Sequence, residues 1–357
     1  MDAPLQGLID RVRAAAAAGS ALCIRAGGTK DFYGNTPVGE TLDPRAWSGI
    51  EFYDPSELVI TARAGTLLAD VEAVLAANRQ MLAFEPPHFG ANATIGGCVA
   101  AGLAGPRRAS TGTTHGGVRD FVLGARLLDG RGHVLRFGGT VMKNVAGYDM
   151  ARTLAGSLGV LGIIVDVSLK VLPRPRGELT LRLESSEAQA IERLNTWGGQ
   201  PLPISASAWL RDGLWLRLAG AESAIAAACV RLGGEPVGTA MAEAFWRDLR
   251  EQQLDWFRGD SPLWRVALPP TAEPFGVSDS LIEWNGAQRW LRTDAPAARL
   301  RERAAHLGGH ATLFRGGERA DGVFTPLRPT ALSIHRRLKA EFDPAGIFNR
   351  DRLVLGL

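Results

Sequence analysis

The spacing of hydrophobic residues predicts both helices and strands along this chain. In residues 4–18, Leu5, Leu8 and Val12 recur at intervals of three and four, which is the spacing of one helix face. Residues 57–63 instead alternate between polar and apolar, as half-buried strands do. Similar patterns predict helices at 67–77, 148–155, 221–232, 240–257, 295–307 and 330–341, and strands at 21–25, 40–43, 121–128, 133–137, 160–172, 179–183, 205–210 and 214–218. The mixture predicts an α+β fold.

Turn sequences pair some of these strands and divide the chain. Asp129-Gly130-Arg131-Gly132 and Arg211-Asp212-Gly213 each lie between two predicted strands, so each predicts a hairpin. Thr66 is predicted to cap the helix at 67–77 through its hydroxyl. Pro173-Arg174-Pro175-Arg176-Gly177 is typical of a linker, and eight of the nine tryptophans follow residue 196. We therefore expect a domain boundary at residue 175.

The composition excludes several classes of protein. The 357 residues carry 40 basic and 37 acidic side chains, which argues against a large basic surface for nucleic acid or an anionic membrane. An apolar content of 46% argues against a disordered chain. No run of 18 apolar residues occurs, and Cys23, Cys98 and Cys229 are too widely spaced for a disulfide framework or a CxxC metal site. We expect a cytoplasmic protein with no nucleic-acid partner and no direct membrane insertion.

Glycine is in excess, and its distribution is uneven. Of the 43 glycines, 17 lie between residues 90 and 162. The chain contains no P-loop, HExxH or GxSxG sequence, and Gly130-x-Gly132 lacks the third glycine of the dinucleotide-binding fingerprint. A Rossmann or P-loop nucleotide site is therefore not expected. The glycines must serve turns or close contacts between the backbone and a ligand.

The segment Arg25-Ala26-Gly27-Gly28-Thr29-Lys30 follows a predicted strand. Its small residues allow successive backbone N–H groups to converge on phosphate oxygens, with the Thr29 hydroxyl as a further donor and Lys30 as a cation. An ordinary turn explains the same segment when it is taken alone. The glycines of Thr94-Ile95-Gly96-Gly97 and Gly156-Ser157-Leu158-Gly159 likewise suit either a flat ligand or close packing of helix on sheet.

Together these segments resemble the FAD-binding domain of the vanillyl-alcohol oxidase and p-cresol methylhydroxylase (PCMH) type. The matching segments are 25–30, 59–66, 86–87, 94–97, 105–107, 112, 119–124 and 156–164. Residues 143–149 look like the glycolate oxidase branch, and residues 342–349 look like the chain end of FAD-linked oxidases. Over nearly its full length, the chain is most similar to the family of FAD-binding E subunits of bacterial glycolate oxidases.

The resemblance implies an architecture and a cofactor. The expected fold is a PCMH-type FAD-binding domain of two α+β subdomains at residues 1–175, a smaller α+β cap domain at 176–328, and a C-terminal segment at 329–357 that packs back on the FAD domain. The FAD would be bound noncovalently, because Thr29 and Lys30 stand where a histidine for covalent attachment would be expected. His88 and His115 also lie in this region, as hydrogen-bonded loop residues or as flavin neighbours.

The resemblance also assigns residues to the cofactor. Ala26, Gly27, Gly28, Thr29 and Lys30 would hold the pyrophosphate, and Thr94, Gly96 and Gly97 would lie by the ribityl chain and isoalloxazine. Gly102, Gly105 and Gly112 would follow the cofactor, Gly156, Gly159, Gly162 and Ile163 would line the flavin and adenine side, and Pro87 and Asp120 complete the implied set. Such an arrangement suits a long anionic cofactor with a planar ring.

The chain departs from the family pattern in the motifs that family members use to oxidise 2-hydroxy acids. Family members that oxidise 2-hydroxy acids usually have Gly-Ser-Glu-Gly where Leu158 stands here, and an H-G-D-G-N-x-H stretch that this chain lacks. His306 and His310 are four residues apart, but the glycines between them favour a solvated helix end, and no metal is expected. The catalytic residues stay open.

Three residues are candidates for a catalytic role. Lys143 and Arg107 would bind a substrate carboxylate or stabilise a reduced anionic flavin, or else form ordinary salt bridges. Tyr148 is the third candidate, with the start of a helix as its alternative role.

The implied function is the oxidation of glycolate, a 2-hydroxy acid, to glyoxylate, with electron transfer through the flavin to an iron–sulfur partner. The implied companions are a larger FAD-linked glycolate oxidase subunit and an iron–sulfur subunit, since three scattered cysteines cannot bind a four-cysteine cluster. Two alternatives are a stand-alone FAD-dependent hydroxyacid or alcohol oxidoreductase and a non-catalytic flavin-binding subunit. Peripheral contact with the inner membrane through the complex stays open.

Overall fold

A computed structural model describes residues 2–109, 116–140 and 149–357. The helices are Ala3–Ala18 (α1), Leu68–Ala77 (α2), Ile95–Ala101 (α3), Val118–Phe121 (α4), Glu187–Gly198 (α5), Glu222–Leu232 (α6), Thr239–Arg250 (α7), Ala297–His306 (α8) and Pro329–Phe342 (α9). Short 3-10 helices are Pro106–Ala109, Ala151–Leu154, Asp255–Phe257 and Trp284–Gly286. In the described part of the chain, no helix is long and apolar enough to span a bilayer.

Most of the strands belong to two main sheets. They are Leu22–Ile24 (β1), Glu40–Leu42 (β2), Ile50–Asp54 (β3), Val59–Arg63 (β4), Gln80–Met81 (β5), Val122–Leu128 (β6), Val134–Gly138 (β7), Ile163–Lys170 (β8), Leu172–Pro173 (β9), Gly177–Glu184 (β10), Ile204–Leu210 (β11), Gly213–Gly220 (β12), Glu235–Val237 (β13), Leu263–Ala267 (β14), Ser280–Glu283 (β15), Gln288–Arg292 (β16) and His310–Arg315 (β17).

The first main sheet is antiparallel and has the order β3-β4-β8-β6-β7. Strand β8 lies at its centre, which explains why its apolar, β-branched sequence is buried on both faces. Helices α2 and α3 pack on one face, where Leu68 and Ile95 share a core with Val167. Helix α1 contributes to the core that contains Ile163 and Val165 of β8. The predicted hairpin of β6 and β7 is present.

The second main sheet is antiparallel and has the order β13-β10-β12-β11-β15-β16-β14-β17. Because side chains alternate along each strand, the sheet has an outer face and an inner face. Helices α5 and α6 share a core with the outer face through Leu194 and Ile225. The inner face carries Trp290 and Phe314, which share a core with Tyr33 of the first half. The inner face therefore covers the loops of the first half.

The end of the chain returns to the first half. Phe348 forms a parallel bridge with Leu22 of β1. The buried Lys339 ammonium of α9 donates to the carbonyl of Val160 at 2.8 Å, to the carbonyl of Phe348 at 2.6 Å and to Asp343 Oδ2 at 2.7 Å. Three acceptors satisfy all three of its donors. These contacts fix the chain end beside β1, just before the glycine-rich loop.

The structure corrects several predicted elements. Helix α3 was not predicted, because Gly96 and Gly97 have low helix propensity. It forms because the Thr94 side chain caps it and its apolar residues are buried. Helix α7 ends at Arg250 rather than at 257, and the strand predicted at 160–172 is shorter, as β8.

The remaining differences concern helix starts. Thr66 does not cap α2, because its hydroxyl accepts from the Gly49 amide and donates to the Arg63 carbonyl at 2.6 Å, and Leu67 is the N-cap. The helix predicted at 148–155 is a 3-10 helix at Ala151–Leu154 within the described residues.

Candidate cofactor site

The glycine-rich loop after β1 is the centre of the site. Gly28 has φ +68°, a left-handed conformation that favours glycine. At Gly27, a Cβ atom would overlap the backbone carbonyl oxygen of Asn92. Both glycines are therefore required by the path of the loop, and the close approach at Gly27 brings it against the segment that precedes α3.

The backbone N–H groups of this loop lack hydrogen-bond acceptors within the described ranges. Among the described residues, no backbone or side-chain acceptor pairs with the N–H groups of residues 26–30. These residues are partly buried rather than fully exposed. Buried backbone N–H groups in folded proteins are almost always paired. A run of five without a protein acceptor is the feature expected of an anion-binding nest.

A cleft of about 820 Å³ opens over this loop. Eleven of the residues that the sequence assigned to FAD line it, namely Ala26, Gly27, Gly28, Thr29, Lys30, Thr94, Gly96, Gly97, Gly159, Gly162 and Ile163. They come from three separate segments of the chain, which the fold brings to one cavity. Ala64, Ala100 and Ala101 add small side chains to the same walls.

The glycines of the walls pack against their own neighbours as well as facing the cleft. A Cβ on Gly96 would lie 2.5 Å from the Cβ of Ala64, and the Gly96 amide donates to the Ala64 carbonyl at 2.9 Å. Gly159 has φ +74°, and a Cβ there would lie 2.8 Å from Asn349 Nδ2. Close packing and a flat, side-chain-free wall are therefore both properties of these positions.

Lys30 supplies a cation to the cleft. Its ammonium donates to the His88 carbonyl at 3.1 Å and lies 5.6 Å from the centre of the Phe89 ring. Burial lowers the pKa of Lys30, while the charge of Glu251 opposes that shift. His88 itself lies outside the cleft lining, with its ring nitrogen 3.0 Å from Glu72.

Other predicted residues lie around the cleft rather than in its lining. Gly102 ends α3 with φ +64°, and its Cβ would lie 2.8 Å from the Gly156 amide nitrogen, so these two backbones touch. Pro87 and Gly105 line a second cavity between the two halves. Asp120 accepts from the Gly117 amide at 2.9 Å at the start of α4. Gly112, His115, Lys143 and Tyr148 lie outside the described residues.

Arg107 lies in an ion-pair cluster outside the cleft lining. Its guanidinium contacts Glu85 at 3.3 Å and Glu178 at 2.5 Å. Glu85 is also paired with Arg217 of β12 at 2.8 Å. Burial would raise the pKa of Glu85, but the Arg217 and Arg107 guanidiniums outweigh it and hold the pKa at about 2. In this arrangement Arg107 connects the two halves of the chain.

Asn349 and Arg352, near the chain end, are among the lining residues that the sequence analysis missed. Asn349 donates to the Leu158 carbonyl at 2.6 Å and accepts from the Ile24 amide at 2.7 Å. Arg352 donates to the carbonyls of Asp31, at 2.9 Å, and Asn35. The chain-end segment 342–349 was singled out for its resemblance, but no residue in it received a role. Only the return of the chain to β1 places both side chains at the cleft.

The residues present fit FAD. The unpaired amides and Lys30 suit the anionic centre of a dinucleotide, and the glycine walls leave room beside them for a planar ring. Within residues 2–109, 116–140 and 149–357, no group of three His, Cys, Asp or Glu side chains could hold a metal ion. The site therefore offers backbone N–H groups and a cation as its means of holding a ligand.

Comparisons with known proteins agree with this chemistry. A family model described as an FAD binding domain matches residues 5–138. Glycolate oxidase subunit GlcE of Escherichia coli strain K12 is 47% identical over 349 residues, which are 98% of this chain and 97% of that protein. Glycolate oxidase subunit GlcD of Bacillus subtilis strain 168 is 33% identical over 129 residues, 36% of this chain and 26% of that protein.

Solved structures support the fold. Two structures of alkyldihydroxyacetonephosphate synthase superpose with TM-scores of 0.64 and 0.67, each over 96% of this chain and about three quarters of the synthase. Their sequences are only 15% and 13% identical to this one. At this level of identity the likeness concerns the fold alone, and it extends through both halves of the chain.

Proposed function

The chain belongs to the family of glycolate oxidase subunit GlcE, and we propose that it is the FAD-binding subunit of a complex that oxidises glycolate to glyoxylate. One observation carries the proposal. The unpaired amides of residues 26–30 and the Lys30 cation share a cleft with the glycine walls around residues 96 and 159. This combination supplies what an anionic dinucleotide with a flat ring requires.

Different residues of the cleft would hold different parts of the cofactor. The amides of residues 26–30, with Lys30, would hold the pyrophosphate, and Thr94, Gly96 and Gly97 would lie along the ribityl chain and ring. Gly159, Gly162 and Ile163 would form the opposite wall. Bound FAD supplies an acceptor for the two electrons removed from the 2-hydroxy acid. The chain offers no histidine in the first loop, so the proposed binding is noncovalent.

The same proposal includes the organisation of the chain. Residues 1–175 contain the first main sheet and most of the cleft, and form the FAD domain. Residues 176–328 contain the second main sheet and form the cap domain. Residues 329–357 form a C-terminal segment whose contacts with β1 and with residue 160 attach it to the FAD domain.

We also assign companions to this subunit. A larger FAD-linked subunit, similar to GlcD, would supply the metal-ligand stretch that this sequence lacks. An iron–sulfur subunit would accept the electrons, because the three cysteines of this chain cannot ligate a four-cysteine cluster. The complex would be cytoplasmic, and membrane contact would be made through the companion subunits.

One experiment tests this function. The chain is purified alone and together with its companion subunits, and the flavin absorption is recorded before and after addition of glycolate without oxygen. We expect both samples to be yellow and only the complex to bleach. Bleaching by the chain alone would favour a stand-alone oxidoreductase. A chain that takes up no FAD would contradict the proposal itself.

A further inference from the structure

A second cavity lies between the two halves of the chain, next to the cofactor cleft. Its floor includes Pro87, Leu103 and Gly105 of the first half, and its roof is the inner face of the second sheet. Pro87 and Gly105 are among the residues that the sequence assigned to FAD. A small molecule in this cavity would therefore lie beside the proposed cofactor.

Arg265 occupies the centre of the roof. It lies on β14, paired with Trp290 on one side and Thr312 on the other. Its guanidinium donates to the Tyr33 hydroxyl at 3.0 Å and lies over the rings of Tyr33 and Phe314, at 5.5 and 5.7 Å from their centres. It lines this cavity and also a larger outer cavity.

Arg265 has no carboxylate partner in the described part of the chain. Among the described residues, no carboxylate lies within 4.0 Å of Arg265 or of Arg108. Arg107 and Arg217, at the same interface, both contact Glu85. Charged groups that are removed from water are normally paired. An arginine that faces a cavity without a partner is therefore a candidate for binding an anion.

The surroundings of Arg265 add to the positive potential. Arg108 lies over the Trp284 ring at 4.5 Å. Burial lowers the pKa of Arg108, and the charge of Arg265 contributes to the same shift. Glu283 lines the cavity, but its carboxylate accepts from Trp290 Nε1 at 2.6 Å and Gln288 Nε2 at 2.9 Å, and it forms no ion pair with Arg265.

We propose that Arg265 binds the carboxylate of a small 2-hydroxy acid in this cavity. This inference rests on the proposed function. The planar guanidinium matches a carboxylate with two parallel hydrogen bonds. The Tyr33 hydroxyl, which lines the outer cavity, accepts from Arg265 and holds the guanidinium in place. The apolar walls, which include Phe89 and Leu249, limit the ligand to a small one. Arg265 is also reached from the outer cavity, which His310, Arg328, His335 and Asp321 line.

Calorimetric titration with oxalate tests the inference. Oxalate presents a carboxylate with adjacent oxygens and has no C–H bond from which a hydride could leave. The full chain with its FAD is compared with Arg265→Met, Arg265→Lys and the matched control Arg258→Met, an exposed arginine of the same half. We expect saturable binding by the parent chain and the control. Binding should be at least about tenfold weaker in Arg265→Met and intermediate in Arg265→Lys.

Equal oxalate binding by the parent chain and Arg265→Met, or no binding by the parent chain, would overturn the inference. If Arg265→Met does not fold, Arg265→Lys and Tyr33→Phe carry the test, and both should bind oxalate more weakly than the parent chain. The flavin absorption of each sample is recorded as well. A parent chain without FAD contradicts the proposed function, whereas a yellow chain that does not bind oxalate contradicts only the inference about Arg265.

Discussion

Arg217 Nη2 donates to Glu85 Oε2 at 2.8 Å, and this contact joins the two halves of the chain. Glu85 precedes Pro86-Pro87 in the first half, and Arg217 lies on β12 of the second sheet. Arg107 contacts the same carboxylate, so one largely buried anion faces two buried cations. The pair fixes the second sheet over the loops that border the cofactor cleft.

Removal of this carboxylate should destabilise the protein. We expect Glu85→Gln to lower the free energy of unfolding by about 3–5 kcal/mol, because two buried guanidiniums lose a shared counter-ion. Chemical denaturation monitored by tryptophan fluorescence measures the loss. The matched control is Glu40→Gln, which removes an exposed carboxylate paired with Arg11 and should cost less than about 1 kcal/mol. Similar losses in the two variants would contradict a structural role for Glu85.

The low pKa of Glu85 predicts that the protein loses stability in acid. Its pKa is about 2, below the ordinary value of 4.5. The unfolded chain therefore binds the proton first, and the contribution of Glu85 to stability is present above pH 4.5 and is lost as the pH falls towards 2. The stability difference between parent and Glu85→Gln should shrink over this range. A difference that stays constant with pH would show that the carboxylate is not held in its charged form.

The raised pKa of Glu283 predicts the opposite dependence of stability on pH. Burial raises its pKa to about 7, against hydrogen bonds from Trp290 and Gln288 that lower it. Its contribution to stability is therefore complete below pH 4.5 and is lost as the pH rises through 7. Relative to the parent, Glu283→Gln should become more stable between these values, by up to about 3 kcal/mol. Thermal melting of both proteins across this pH range measures the change, and parallel curves would argue against a buried neutral carboxyl.

The glycine-rich loop predicts a specific loss of cofactor. Gly28→Asp should expel FAD, because the new carboxylate would face the pyrophosphate across the amides of residues 26–30. Gly19→Asp is the matched control, since Gly19 has nearly the same backbone conformation, with φ +64°, and open space around it. Both changes carry a similar backbone strain, although a Cβ at Gly28 also requires the far end of the Arg25 side chain to shift. The flavin-to-protein absorption ratio after gel filtration is the readout. Equal FAD content in the two variants would refute the assignment of the loop.

Lys30 should strengthen FAD binding by its charge. Lys30→Met should weaken FAD binding by about tenfold or more, because a cation near the phosphates is lost. Lys30→Arg keeps the charge and should retain most of the affinity. Fluorescence quenching of FAD on titration with the FAD-free proteins gives the dissociation constants. Identical constants for Met and Arg at this position would mean that the Lys30 charge does not act on the cofactor.

Local sequence signals predicted a tight glycine turn at 25–30, and the combination of several such segments predicted its role. The conformational demand at Gly28, with φ +68°, is local, whereas the demand at Gly27 comes from the distant Asn92 carbonyl. Helix α3 was missed because its glycines have low propensity, and burial of Ile95 and Val99 compensates for that only in the folded chain. Propensity therefore gave the wrong result where tertiary packing dominates.

Contacts between distant residues could not be predicted in this way. Arg352 reaches the Asp31 carbonyl across 321 positions of the chain, and Glu85 reaches Arg217 across 132. The sequence around these residues contains no motif that identifies their contact partners. The proposed role of Arg265 could not be predicted from the sequence either. It depends on the absence of a nearby carboxylate among the described residues, and only a structure can reveal that.

Titration of the FAD-free chain with FAD tests the central claim most directly. The account predicts saturable binding of one FAD per chain, and release of all the flavin into the supernatant when the protein is denatured by acid. A chain that binds no FAD would contradict the assignment of the cleft. Flavin that stays with the denatured protein would contradict noncovalent binding.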